Sequence, residues 1–165
     1  MENYSHLIYA QIGNLCILEQ PKTAFLCSRQ VPADAVLKCY DWAIQMREAG
    51  RCVISGFHSP IEQDVLHYLL KGKQPVILAL ARGMKSSWEP SIQKALEEGR
   101  LLIVTPFGEL IKRASQDTAA IRNDLMLKLA DEVVVGYVQS LWFLLTTALT
   151  LPELWTNKPT IRCTA

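Results

Sequence analysis

The chain has 165 residues, half of them hydrophobic and a fifth charged, and its net charge is +1. Such a length and composition suit one domain with a substantial core and argue against disorder. The near-neutral balance argues against indiscriminate nucleic-acid binding, so the local distribution of charge matters more than the total.

The first residues, MENYSHLIYAQ, lack the basic region and apolar core of a secretion signal. KTAFLCS (22–28) then predicts a strand, and PADAVLKCYDWAIQMREAG a helix. Pro32 stands near the first turn of that helix, Val36, Leu37, Tyr40, Ala43 and Ile44 form an apolar stripe, and Gly50 ends it. RCVIS (51–55) is a second strand, followed by a helix whose apolar face is Ile61, Val65, Leu66, Leu69 and Leu70. PVILAL (75–80) predicts a strand, SIQKALEEG (91–99) a short helix with a glycine stop, and LLIVT (101–105) another strand. DTAAIRNDLMLKLA reads as a helix with Asp117 as N-cap and Ile121, Leu125 and Leu129 turned inward. EVVVGYV (132–138) is the next strand, and PTIRC (159–163) a last edge strand.

The uncharged run VVVGYVQSLWFLLTTALTL, Val133 to Leu151, is long enough for a membrane span. It divides into a β-branched strand, a turn at Gln139-Ser140 and a short apolar helix, without flanking basic clusters. We read it as a buried strand plus a packed helix, with no membrane partner. Trp142, Phe143 and Trp155 in this region are read as core, with a dimer surface as the alternative.

Strands alternating with helices, and apolar runs that are continuous, predict a mostly parallel sheet covered on both faces. The expected fold class is α/β, a doubly wound, Rossmann-like single domain over residues 1–165. The tryptophans and methionines at helical spacing are read as core. Five scattered cysteines without a CxxC pair indicate a reducing, cytoplasmic setting and act as small hydrophobes.

Open parallel sheets bind ligands beyond the carboxyl ends of their strands. The residues expected there are Arg29 after the first strand, Gly56 and His58 after the second, and Arg82, Gly83 and Lys85 after the third. Pro106, Gly108, Lys112 and Arg113 follow the fourth, with Arg122 and Asn123 in the next helix. Only Glu62, Glu109 and Asp124 lie close to these in sequence, so positive charge is expected to collect on one edge and to attract an anion, above all phosphate. The competing reading has these arginines capping helix ends or pairing with carboxylates.

No GxGxxG or GxxxxGK[ST] run occurs, which disfavours the common dinucleotide and P-loop sites. HExxH, metal-type Cys/His spacing and the GxSxG elbow are missing too, so no cofactor, no metal and no catalytic residue is expected. His6 and His67 read as structural or solvated, and Glu62 and Glu109 lack a visible orienting partner for general-base work.

Several stretches in order resemble the Rossmann-like core of the DNA-processing protein A (DprA/Smf) family, related to the LOG, lysine-decarboxylase-like group. They are IGNLCILEQPKTAFLCSRQVP (12–32), VISGF (53–57), VILALARGM, EEGRLLIVTPFG (97–108) and AAIRNDLMLKLADEVVVGYV (119–138). The resemblance implies binding of single-stranded DNA, hand-off to a recombinase partner, a homodimer and no established catalytic chemistry. It implies Ser28, Arg29, Ser55, Gly56, Arg122 and Asn123 as DNA contacts. His58, Arg82 and Gly83 join them from the strand-end reading.

The sequence departs from the family pattern at Cys27, in place of a turn glycine, and at Pro60 and Glu62, in place of a Gly-Ile-Asp pattern. Ala119 stands where the family has an aromatic, which predicts weaker single-strand binding unless Phe57, Phe107 or Trp88 substitutes. The chain is shorter than family members with added helical or winged-helix domains, and is expected to be a stand-alone core. The alternative function is binding or sensing of a nucleotide or nucleotide-derived ligand. A third is an interaction protein without a ligand.

Overall fold

A computed structural model describes residues 4–139 and 161–163, without the side chains of Tyr4 and of 161–163. Seven strands form one sheet in the order β1-β5-β4-β3-β2-β6-β7. They are β1 (Ala10–Gly13), β2 (Lys22–Cys27), β3 (Cys52–Ser55), β4 (Val76–Ala79), β5 (Leu101–Thr105), β6 (Glu132–Tyr137) and β7 (Ile161–Cys163). Every pairing is parallel except that of β1 with β5.

The helices are α1 (Ala33–Glu48), α2 (Pro60–Leu70), α3 (Pro90–Glu97) and α4 (Gln116–Leu129). Helices α1, α2 and α3 cover one face, where Cys39, Trp42, Ile61, Val65, Leu69, Ile92 and Ala95 meet alternate strand residues such as Phe25, Val53, Leu78 and Ile103. Helix α4 covers the other, with Leu125 and Met126 against Ala24, Ile54, Ile77 and Val104. Residues of β2 through β5 are buried throughout, which is why these strands read as unbroken apolar runs. The doubly wound expectation is therefore met.

Two helices are rotated from the expected register. In α1 the buried set is Ala35, Cys39, Trp42 and Ala43, while Leu37 is 63% exposed. In α4 the N-cap is Ser115, in a reciprocal capping box with Thr118, and not Asp117. Its buried set is Arg122, Leu125, Met126 and Leu127, while Ile121 is 51% exposed. Positions 122, 125, 126 and 129 form as regular an i, i+3, i+4, i+7 stripe as the apolar one, with an arginine at its head. Strand β1 has no counterpart among the expected elements; its AQIG is largely exposed and offers no apolar run.

The edge strand expected over 159–163 is present as β7, parallel to β6. The apolar helix expected after Gln139, with Trp142, Phe143 and Trp155, lies outside the described residues. Among the described residues no helix is long and apolar enough to cross a membrane.

Candidate nucleic-acid interface

The chain steps from β2 through β3 and β4 to β5 in one direction, then returns over the opposite face in α4 and lays β6 on the far side of β2. Strand order thus reverses between β2 and β6, the place where a doubly wound sheet opens a crevice at its carboxyl edge. The loops leaving these two strands are tied together. Ser28 N–H donates to the Tyr137 carbonyl at 3.0 Å. The Ser28 hydroxyl accepts from Gln139 N–H at 3.1 Å, and the Gln139 amide donates to Gln30 at 2.8 Å. Ser28 is buried by this stitching, and Arg29 stands exposed beside it.

The β3–α2 turn is held just as firmly. Ser55 is fully buried, and its hydroxyl accepts from Phe57 N–H at 3.3 Å. Phe57 has φ 47°, a left-handed conformation rare for a bulky residue, and its ring is buried. Ser59 caps α2 in a reciprocal box with Glu62. Glu62, only 6% exposed, also reaches the end of β2. Its Oε1 accepts from Cys27 N–H at 3.0 Å, and its Oε2 from His58 N–H at 2.9 Å and Ser59 N–H at 3.1 Å. Glu62, expected to lack an orienting partner, has three. The S-x-x-E spacing at 59–62 carries that signal in the sequence.

Against this turn lies Arg122. Helix α4 runs antiparallel to the parallel strands, so its N-terminal half overlies their carboxyl ends. The Arg122 side chain passes under Gly56 so closely that a Cβ there would stand 1.8 Å from Nη1 and 2.2 Å from Cζ. Its Nε donates to Asn123 Oδ1 at 2.9 Å, and its Nη1 to the Ala79 carbonyl at 3.4 Å, the end of β4. Arg122 is 6% exposed and, among the described residues, makes no ion pair. Burial pulls its pKa below the ordinary guanidinium value, and the Glu62 charge opposes that shift. It remains a cation at any ordinary pH.

The β4–α3 and β5–α4 loops complete the edge. Gly83 N–H donates to the Ile111 carbonyl at 2.8 Å, and a Cβ at Gly83 would meet the Gly108 carbonyl at 2.4 Å. The Thr105 hydroxyl donates to the Arg82 carbonyl at 2.6 Å and accepts from Phe107 N–H at 3.1 Å. These loops therefore brace each other, with Arg82 and Phe107 half-buried and Lys85, Lys112 and Arg113 exposed. Trp88 is half-buried against the α1–α3 core with Lys85 Nζ 5.5 Å from its ring centroid.

Among the described residues, none of Arg29, Arg82, Lys85, Lys112, Arg113 and Arg122 is in an ion pair. The pairs lie elsewhere: Lys22–Asp131 at the amino edge, Arg100 and Lys94 with Glu98 after α3, and Lys128–Asp124 along α4. The edge is nevertheless not uniformly basic. Exposed Asp34 and Asp117 lie in the first turns of α1 and α4, Glu89 is the N-cap of α3, and Glu109 is exposed in the β5–α4 loop. Helix N-termini favour such carboxylates, and Asp34, Glu89 and Asp117 fall outside the set expected from proximity in sequence. The distinctive feature is the buried Arg122 guanidinium, which makes no ion pair among the described residues although the Glu62 charge acts on it. Of the three aromatics expected to replace the one absent at Ala119, Phe57 is enclosed in the core, leaving Phe107 and Trp88 accessible. No group of three or more metal-ligating side chains exists among the described residues.

The family model for DNA recombination-mediator protein A matches residues 1–140. The chain belongs to that family. No curated protein matches it significantly. Among solved structures it is similar to DNA processing protein A from Streptococcus pneumoniae, with a TM-score of 0.69 and 17% identity over 93% of this chain and 53% of that one. It is similar also to DNA processing protein A from Helicobacter pylori, solved for its single-stranded DNA binding mode, at 0.73 and 16% over 99% of this chain and 78% of that one. A molybdenum cofactor binding protein from Rippkaea orientalis shares the fold at 0.58 and 12% over 87% of this chain and 76% of that one. The chain spans about half the length of the S. pneumoniae protein.

Proposed function

We propose that the chain binds single-stranded DNA across the carboxyl edge of its sheet, with Arg122 as the innermost phosphate ligand. The observation that carries this is the Arg122 guanidinium, buried under Gly56 with no carboxylate in ion-pairing distance among the described residues. A buried cation without an ion-paired carboxylate is costly, and the charge of buried Glu62 offsets only part of that cost, which favours an anion that arrives later. A phosphate meeting Arg122 would gain charge-assisted hydrogen bonds in a partly desolvated setting. Arg29, His58 and Arg82 are the further side-chain ligands of the strand. Asn123 positions Arg122, whereas Ser28, Ser55, Gly56 and Gly83 shape and brace the loops. Family membership and the single-stranded-DNA-binding H. pylori relative support the choice of ligand. Transfer of the strand to a recombinase, self-association and a cytoplasmic setting accompany the proposal as parts of one role.

The test measures binding of oligo-dT of increasing length, and of a mononucleotide panel, at several salt concentrations. Affinity should rise with length and fall with salt, and removal of any one phosphate ligand should reduce the log–log slope by about 0.7. Arg122→Ala and Arg29→Ala should weaken binding without regard to base sequence. Tight binding of a mononucleotide with no gain from added length would replace this reading with a small-ligand site. Light scattering with and without DNA checks the oligomeric state.

A further inference from the structure

The β4–α3 loop carries an aromatic and a cation that the phosphate ligands leave unused. It leaves the sheet at Ala79, whose carbonyl Arg122 contacts, and reaches α3 through Lys85 and Trp88. The Trp88 indole packs on the α1–α3 core while remaining only partly buried, so it is a ring held by the core with some of its surface open to solvent. Lys85 Nζ stands 5.5 Å from the ring centroid, and Lys85 has no carboxylate partner among the described residues. The other described cation–π pair, Lys71 with Tyr68, lies at the C-terminal end of α2, toward the opposite edge of the sheet.

We infer that Trp88 and Lys85 form a nucleobase-stacking platform. An unpaired base lies on the indole, and Lys85 shifts from the ring to the adjoining phosphate. This rests on the single-stranded DNA reading above and adds to it a contact with bases. A ring already held by the core loses little freedom when a base stacks on it, and every base has a π-face, so the contact is sequence-tolerant. The cation already beside the ring shows that this side accepts a π-facing partner, and exchanging ammonium–π for ammonium–phosphate keeps the charge compensated.

The experiment follows one titration with two readouts: anisotropy of labelled oligo-dT for total binding, and tryptophan fluorescence for base contact. The wild type should bind with quenching. Trp88→Phe should still bind but lose most of the quench, and Trp88→Ala should bind about 5- to 150-fold more weakly. An oligonucleotide with abasic sites throughout should bind through its phosphates without quenching Trp88. Lys85→Ala should lower the salt slope by about 0.7 while leaving the quench in place. Because Trp88→Ala removes packing as well, its thermal melt is recorded, and Trp88→Phe carries the decision if the alanine variant does not fold. Undiminished quenching in Trp88→Phe, or equal quenching by the abasic strand, overturns the platform while DNA binding stands. An absence of binding to any oligonucleotide overturns the reading beneath it, and the platform with it.

Discussion

Gly56→Ala tests the proposed site with a single methyl group and no change of charge. Gly56 does not have positive φ, so alanine suits the backbone, and the whole effect comes from what the new Cβ meets. That atom would stand 1.8 Å from Arg122 Nη1, whereas ordinary van der Waals contact begins at 3.4 Å. The guanidinium must therefore withdraw by about 1.6 Å, which is more than the bonds from Nε to Asn123 and Nη1 to Ala79 tolerate. Hydrogen bonds made by charged groups are worth about 1.5–3 kcal/mol, but the second is long and the displaced side chain recovers some hydration. A loss of about 2 kcal/mol follows, or about 4–8 °C in melting temperature. The larger effect should be on the ligand. With Arg122 expelled from its seat, oligo-dT affinity should fall about tenfold or more, and the salt slope should drop by about 0.7, as in Arg122→Ala. Anisotropy over a salt series reads both quantities. Wild-type affinity and slope in a variant whose melting temperature has fallen by that amount would show that Arg122 is not a phosphate ligand.

Glu62→Ala leaves three backbone N–H groups without their acceptor and takes away the negative charge nearest Arg122. Water can reach the one on exposed His58 more readily than that of Cys27, so a loss of about 2–4 kcal/mol in urea unfolding is expected. Peptide mapping after brief alkylation of the native protein should show Cys16 modified and Cys27, Cys39 and Cys52 protected until unfolding, because the last three are buried. Burial also pushes the Cys52 thiol up to about 12 from 9.0. Its stabilisation is thus complete below about pH 9 and is lost as pH climbs through 12, and Cys52→Ala should flatten that part of the alkaline unfolding curve.

The parallel sheet is legible in the sequence because strands buried on both faces must be apolar at consecutive positions, as VVVGYV and LLIVT are. Strand β1 is not, since an exposed four-residue edge strand needs no such run. The rotation of α4 escapes for a sharper reason. A hydrophobic stripe is sought among apolar residues, which turns Ile121 inward and Arg122 outward, the reverse of what the fold does. Glu62 escapes in the same way: a carboxylate reads as solvated or catalytic until the N–H groups that surround it are known, although Ser59 three residues earlier announces a capping box. The proposed location of the interface follows from strand ends alone. Which polar groups the packing encloses there does not, because enclosure depends on how the elements meet.

That enclosure leads to one more expectation. Arg122 arrives on the return helix α4, while the Gly56 turn and the Ala79 carbonyl belong to strands β3 and β4 laid down before it. The proposed site therefore forms only when α4 is docked on the finished sheet, and an anion held there should stabilise that docking. For a ligand that binds only the folded chain, a concentration one hundred times its dissociation constant adds about 2.7 kcal/mol, or about 5–10 °C in melting temperature. Oligo-dT should produce that rise in the wild type, and at the same concentration it should produce little in Arg122→Ala. A rise of equal size in both proteins would place the DNA somewhere other than the α4–β3 junction, because strands bound on an outer surface would not report on whether this one guanidinium is present.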